Sequence, residues 1–486
     1  MSKYLAAALV FVCSAAVLMV EILAGRLLAP YVGISLETYT SIIGTVLAGI
    51  AVGAWVGGQI ADRFDPKRLL GPTVALGGVL ALMPVPIVRG LGDQTGGGGR
   101  ATTLVLTFSG FFLPALALSA VTPMVVKLQL HDLHRTGGVV GRLSGISTFG
   151  ALVGTFVTGY LLTATTPTRT TIFALGGTLV VIGILLSLWS SRRGGVIVTI
   201  IAVAVASVVT ISASAHGPCQ VESAYFCIRV DRDPVAPTGR ILWLDNLRHS
   251  YVALDDPSDL EFPYEQMFGD VVAAAWPSHP ALDALHIGGG GFTLPRYLAA
   301  KYPGTHSVVL EIDPAILKVG RERLGLHTSK ALQVHIGDAR IGIRARPTDS
   351  ADLVVGDAFA SLSVPWHLAT REFVRDVDRV LRPDGVYMMN VIDYAPFRFG
   401  RAELATLRTR FRWLALLAPR TFNDGNAINL VLVASNRPLD LAGADPADAS
   451  DEVILEGDAL DRFVASAPVI RDDYAPIDQW LDADKS

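Results

Sequence analysis

The sequence predicts a multi-pass α-helical membrane domain followed by an α/β domain built on a parallel sheet. Three observations carry this. Apolar residues form 51% of the 486-residue chain and charged ones only 17%, a balance foreign to an ordinary water-soluble protein. Charge is also divided: residues 1–215 hold 13 Lys/Arg against 6 Asp/Glu, net +7, and the remainder nets −11. Beyond about residue 240, short apolar strands alternate with helical segments, and several strands close on a glycine turn or an acid.

Apolar runs lie near 4–24, 38–60, 69–90, 101–126, 142–164, 170–190 and 195–214. Each approaches the roughly 20 residues that cross a bilayer core as a helix, so seven spans are expected over residues 1–215. A cleavable signal explains the first run less well, because no A-x-A-like site closes it and further runs follow. With the N-terminus inside, inner segments carry Lys3, Arg63, Lys67, Arg68, Lys127, Arg135, Arg142, Arg192 and Arg193. Outer loops carry only Arg26, Arg89, Arg100 and Arg169. The positive-inside rule then delivers the chain beyond residue 215 to the extracytoplasmic face of the cell membrane.

Cys219 and Cys227 follow the last run. They suit either a disulfide in an exported domain or two buried thiols. No CxxC companion supports zinc, and no metal site is expected. Gly49, Gly53 and Gly57 recur every four residues, as do Gly150 and Gly154, which predicts helices in close contact. Glu21, inside the first run, is an expensive carboxylate in lipid. It fits a cation- or amine-binding cavity, a pair with Arg26, or a buried neutral acid.

The second half reads as two parts. Residues 216–280 hold a small β-sheet region with strands at "RILWLD" and "HSYVALD". Residues 281–486 begin the alternation: strand "ALHIG", helix "TLPRYLAAKY", strand "HSVVLEID", then a helix opened by Pro314, as first-turn proline allows. "ALQVHIGD", "ADLVVGD", "TREFVRDVDRVL" and "GVYMMNVID" continue it, implying a parallel sheet covered on both faces. Ligands of such sheets bind at the carboxyl ends of the strands. There stand Gly288–Gly291, Glu311, Asp338 and Asp357. The third glycine of a dinucleotide fingerprint is missing, since position 293 is Thr. A nucleoside without a pyrophosphate fits better, with Glu311 on the ribose hydroxyls and Asp338 on the adenine amino group. S-adenosylmethionine and its decarboxylated form are the natural candidates. The acidic second half lacks the basic footprint of a nucleic-acid binder.

The stretches "ESAY", "LDNLRHS", "PYEQM", "IGGGG", "VLEIDP", "IGDAR" and "VVGDAF" resemble the spermidine synthases (polyamine aminopropyltransferases), most closely a membrane-fused bacterial branch. The resemblance implies a small N-terminal β-sheet joined to a methyltransferase-like Rossmann fold. It implies nucleoside contacts at Gly288, Gly289, Gly290, Glu311, Asp338 and Ala339. It also implies a gate-keeping Asp357 with Tyr264 beside it, and amine-side contacts at Glu265, Gln266 and Asp245. The activity implied is transfer of an aminopropyl group from decarboxylated S-adenosylmethionine, bound as a donor substrate, to a polyamine such as putrescine.

Three departures from the family pattern bear on the acceptor. Gly291 stands where members carry an aspartate for the donor's ammonium, and Ala360 where a second aspartate grips the diamine. Glu265 and Gln266 are exchanged in order. A buried ammonium needs a paired anion, so these losses weaken the case for a diamine. Asp256, Asp259 or Glu261 are candidate replacements from the preceding loop. Two other readings stay open: an S-adenosylmethionine-dependent methyltransferase, and a non-catalytic polyamine or nucleoside sensor or transporter. The expected partners are the lipid bilayer, a nucleoside donor and an amine acceptor, with self-association left open. His286 is expected to be packed, Trp366 and His367 to roof the pocket or start a helix, and Asn390 to border the cleft.

Overall fold

The computed structural model describes residues 1–95, 100–130, 132, 136–190, 200, 202–207, 218–360, 362–420, 427–441 and 452–481. Most of the seventh apolar run, with Arg135, Arg192 and Arg193, lies outside the described residues. The chain divides into two compact units, Met1–Ile228 and Arg229–Ser486.

Six helices in the first unit are long and apolar enough to cross a membrane: α1 Lys3–Val32, α2 Leu36–Arg63, α3 Pro66–Gly92, α4 Arg100–Gln129, α5 Thr136–Thr165 and α6 Thr168–Trp189. They match the first six apolar runs in order. Small residues set their contacts. A side chain at Gly53 would strike the Leu116 carbonyl, and one at Gly57 would meet Ala120 Cα at 2.6 Å, so α2 lies directly against α4. Gly150 and Gly154 bring α5 equally close to the backbone of α1 at Phe11 and Ala15. Small residues that let backbones approach this closely are the packing device of membrane-type helices. Arg26 pairs with Glu222 at 3.4 Å, and Glu21 has no ion-pair partner among the described residues. After the helices, β1 (Val221–Glu222) pairs with the start of β2 (Cys227–Arg232). Cys219 and Cys227 form a disulfide.

In the second unit, β2, β3 (Gly239–Leu244) and β4 (Leu247–Ala253) lie side by side. Helix α7 (Pro263–Ala275) leads into the large sheet. Its parallel strands are β5 (Asp283–Ile287), β6 (His306–Glu311), β7 (Leu332–Ile336), β8 (Ala351–Gly356) and β9 (Leu381–Asp393). Antiparallel β10 (Trp413–Pro419), β11 (Ile428–Ser435) and β12 (Glu452–Glu456) complete it. The order is β12-β10-β11-β9-β8-β5-β6-β7. This is the doubly wound arrangement of a methyltransferase-like Rossmann fold, extended at one edge. Connecting helices are α8 (Thr293–Lys301), α9 (Pro314–Arg323), α10 (Ala339–Arg344), α11 (Arg371–Val380) and α12 (Arg398–Leu407), with α13 (Gly457–Val464) and α14 (Ile477–Trp480) in the tail. Strand alternation divides the core. Leu353, Val355, Val386 and Met388 face Met267, Phe268 and Val271 of α7. Val354, Tyr387 and Met389 face Phe373, Val374 and Val377 of α11.

Candidate active site

The chain leaves β5 toward β6 on one side and returns as β8 on the other, so the strand order reverses between β5 and β8. That is the point where open α/β sheets leave a crevice. Register places the strand ends side by side: Ile287 pairs with both Leu310 and Gly356, Glu311 with Ile336, and Gly356 with Met389. Gly288, Glu311, Asp357 and Asn390 therefore share one edge.

The glycine turn is dictated by crowding. Gly288 has φ +97°, and a Cβ there would collide with the Asp357 carbonyl. Gly290 is also left-handed, at φ +48°. Only glycine takes such conformations without strain. The turn is tied to the next strand by Glu311, which is buried. Its Oε2 accepts from Gly289 N at 2.7 Å and its Oε1 from Asp313 N at 2.8 Å. Burial pushes its carboxyl up to about 7, while the backbone donors pull the other way. A carboxylate offers about four acceptor positions, which leaves some for ribose hydroxyls.

Asp338 is used differently. Its Oδ1 caps α10 by accepting from Arg340 N (2.8 Å) and Ile341 N (3.2 Å), and its Oδ2 meets His367 Nε2 at 3.1 Å. Ala339 is buried behind it. Trp366 is half exposed, and Thr370 caps α11.

Across the switch point, Asp357 is held from two sides. Asn390 Nδ2 donates to Oδ1 at 3.0 Å and the Tyr264 hydroxyl to Oδ2 at 3.3 Å. Burial pushes the carboxyl up to about 6, and both donors lower it. Burial, and then Asp357, drive the Tyr264 hydroxyl well above its ordinary value, so it stays a donor. These residues line a cleft of about 90 Å³ with Arg248, His249, Phe262, Phe359 and Asn429. Asp357 is the one carboxylate among the described lining residues. His249 is pushed down to about 4 by burial and is neutral. Asp357 can therefore take a proton from a group in the cleft while Tyr264 and Asn390 fix its orientation.

The remaining expected site residues are not among the residues that line the cleft. Glu265 is buried next to this cluster, its carboxyl driven well up by burial and then by Asp357, and its Oε2 has no hydrogen-bond partner among the described residues. Gln266 is exposed and donates to the Leu260 carbonyl at 2.8 Å. Asp245 sits at φ 54° in the β3–β4 turn, outside the cleft lining. Asp256 accepts from Ser258, and Glu261 pairs with Arg248 at 2.8 Å. His286 is packed, 3.3 Å from the Ser307 hydroxyl. His249 and Phe359 fall inside "LDNLRHS" and "VVGDAF" without a role of their own, and Asn429 falls in no such stretch, because β4, the β8 loop and β11 meet only in three dimensions.

The missing aspartate at 291 has a steric counterpart. A Cβ on Gly291 would lie 2.8 Å from Ser250 Cβ and 2.9 Å from Val252 Cγ2, and Gly291 N donates to the Ser250 hydroxyl at 2.9 Å. Strand β4 occupies the space an aspartate would need. Ala360 is exposed, its N–H bonded to the Ser363 carbonyl at 2.8 Å.

No family model matches the chain. Residue-level comparison finds the polyamine aminopropyltransferase of Vibrio vulnificus, 32% identical over 160 residues, which take in 32% of this chain and 52% of that one. The chain thus spans about half the length of that relative. Polyamine aminopropyltransferase 2 of Streptomyces coelicolor is 24% identical over 445 residues, covering 84% of this chain and 77% of that one. The human eEF1A lysine and N-terminal methyltransferase is 29% identical over 126 residues, covering 23% and 18%. The first two likenesses are both to polyamine aminopropyltransferases, and the second reaches across both units.

Proposed function

We propose that the protein is a membrane-bound aminopropyltransferase of the spermidine synthase type. Decarboxylated S-adenosylmethionine would lie along the glycine turn, with Glu311 taking the ribose hydroxyls and Asp338 and Ala339 facing the base. An amine enters the Asp357 cleft unprotonated. Its nitrogen forms a bond to the methylene carbon beside the sulfonium as that carbon–sulfur bond breaks. Methylthioadenosine leaves as a neutral thioether. The ammonium created by the new bond gives up a proton, which Asp357 accepts, and the acceptor's free pKa of about 10.4, like lysine's, sets the share of it that can enter as free base. The remaining catalysis is alignment of donor and acceptor. The observation that carries this reading is Asp357, held by Tyr264 and Asn390 beside the glycine turn and pushed up to about 6.

The helical unit serves as the membrane anchor. The excess of inner-loop Lys and Arg, together with the Cys219–Cys227 disulfide, supports an extracytoplasmic position for the chain beyond residue 215. Homo-oligomerisation is compatible with this reading.

Methyl transfer from S-adenosylmethionine is the second reading, favoured by the absence of acids at Gly291 and Ala360 and by the methyltransferase relative. The detergent-purified full chain distinguishes them. Incubated with decarboxylated S-adenosylmethionine and putrescine, it should yield methylthioadenosine and an elongated amine by chromatography. Release of S-adenosylhomocysteine from the carboxylated donor would favour the second reading. Neither product, with donor or spermidine binding retained, would favour a sensor or transporter.

A further inference from the structure

One wall of the Asp357 cleft can be followed contact by contact. Asp357 Oδ2 accepts from the Tyr264 hydroxyl at 3.3 Å. The Tyr264 ring stacks on Phe262, centroids 5.9 Å apart, and the Arg248 guanidinium lies 4.8 Å over the Phe262 ring. All four residues line the cleft. The order along this wall is acid, two aromatic faces, base. Leu247, Phe359 and Ile392 add apolar surface, and the volume of about 90 Å³ suits a short chain.

A diamine is a poor match for such a wall. It brings an ammonium at each end, and each needs an anion once it leaves water. Asp357 supplies one. Asp256, Asp259 and Glu261, the candidate replacements for the family acids, are not among the lining residues. A second ammonium would instead approach Arg248, and like charge selects against it. Arg248 has donors to offer an anion. Its Nη2 donates to Glu261 Oε1 at 2.8 Å, and its Nε and Nη1 reach no acceptor among the described residues. The two side chains are 35% and 38% exposed, and pairs of that kind contribute little, so a second carboxylate can share the guanidinium at small cost. The planar fork suits a carboxylate, and its contact with Phe262 keeps it against the wall.

We propose that the preferred acceptor is a zwitterion, a primary amine joined to a carboxylate by a short methylene chain. The amine meets Asp357, the methylenes lie on Tyr264 and Phe262, and the carboxylate meets Arg248. The inference rests on reading the Asp357 cleft as the acceptor site of aminopropyl transfer. The reaction keeps its form: nitrogen bonds to the methylene carbon beside the sulfonium, the carbon–sulfur bond breaks, and methylthioadenosine leaves. The new ammonium gives its proton to Asp357, and the product is an N-aminopropyl amino acid. Putrescine remains an acceptor, but a slower one.

The test uses the detergent-purified full chain with decarboxylated S-adenosylmethionine and three acceptors: 5-aminopentanoate, putrescine and pentylamine. They share a run of methylenes from the amine and end in a carboxylate, an ammonium and a methyl group. Methylthioadenosine release gives kcat/KM for each. The value for 5-aminopentanoate should exceed that for putrescine at least about tenfold, or ~1.4 kcal/mol. Arg248→Gln should lower the ratio of 5-aminopentanoate to pentylamine about tenfold, mainly through KM, and Arg248→Lys should keep part of it. Putrescine or pentylamine as the better acceptor, or an unchanged ratio in Arg248→Gln, overturns the proposal. Should Arg248→Gln not fold, the wild-type order decides: 5-aminopentanoate first supports the proposal, and any other order overturns it. Release of no methylthioadenosine with any acceptor would fail the aminopropyl-transfer reading itself. Calorimetry with methylthioadenosine present then decides this proposal: tighter binding of 5-aminopentanoate than of putrescine supports it, and equal or weaker binding overturns it.

Discussion

Arg340 and Asp472 lie 132 residues apart and meet through two parallel bonds, Nη1 to Oδ1 at 2.8 Å and Nη2 to Oδ2 at 2.7 Å. Arg340 belongs to α10, the helix capped by Asp338. It also donates to the His367 carbonyl at 3.0 Å, and the Thr370 hydroxyl donates to Asp472 at 2.7 Å. The tail stretch "RDDYAPIDQW" therefore braces the proposed base-binding corner, a use its sequence does not announce.

Cutting this brace should loosen donor binding more than the fold. Asp472→Asn leaves one prong of a two-pronged pair, and Arg340→Lys replaces a planar fork with a point charge. Either should weaken donor affinity about tenfold in calorimetry, or ~1.4 kcal/mol, with a small change in thermal midpoint. Arg340 beside Asp472 holds that carboxyl below its usual range. Its contribution is thus present at neutral pH and fades as pH falls through the lowered value. Unchanged donor affinity in both variants would reduce the brace to a surface contact.

The proposed base supplies a pH signature. Asp357 must be ionised to accept a proton and is pushed up to about 6, so kcat/KM should rise through pH 6. A second rise follows toward the acceptor's own pKa of about 10. Removing a donor that stabilises the carboxylate raises its pKa further. Asn390→Ala and Tyr264→Phe should therefore move the lower limb to higher pH and leave the upper one in place. Asp357→Asn should lower turnover by about 10²–10⁴ with donor binding nearly unchanged. Full activity in that variant would remove Asp357 from the mechanism.

Local signals made the fold legible, whereas much of the site depended on non-local ones. Runs of apolar residues and the strand–helix alternation show in short windows, and six of the seven expected runs correspond to described helices. Gly288, Glu311 and Asp357 were visible because each ends a strand on a sheet whose strands run parallel. Asp338 was visible too, but its capping of α10 and its contact with His367 depend on loop geometry. Gln266 differs from its neighbour Glu265 by one helical step, about 100°, enough to put one in solvent and the other in the core. Asn429 carries no motif, and His249 stands inside "LDNLRHS" with no role marked for it, since they reach the cleft from β11 and β4.

The two family positions without acids should respond oppositely to their restoration. Gly291→Asp places a Cβ 2.8 Å from Ser250 Cβ and should destabilise by about 1–3 kcal/mol, as overpacking does. It should restore no amine affinity. Ala360→Asp stands at an exposed position and should fold normally. If the acceptor is a diamine, this variant should bind it more tightly, measured as a lower KM for putrescine at constant kcat. A Gly291→Asp protein as stable as wild type would mean that β4 yields at this point.

The cysteines offer a test of sidedness. The Cys219–Cys227 bond closes a loop of about eight residues, for which chain entropy gives a stabilisation of about 2–3 kcal/mol. Opening it with reductant should lower the thermal midpoint of the wild type, and Cys227→Ser should match the reduced state. That variant retains Cys219, which is half-buried, and Cys13, which is buried within α1. Labelling by a membrane-impermeant maleimide should therefore report Cys219 alone. Labelling in intact cells is the outcome expected for an extracytoplasmic position, because an oxidising compartment is where such a bond persists. Labelling only after lysis would reverse the orientation and return the unit proposed to bind the donor to the side where an S-adenosyl donor is made.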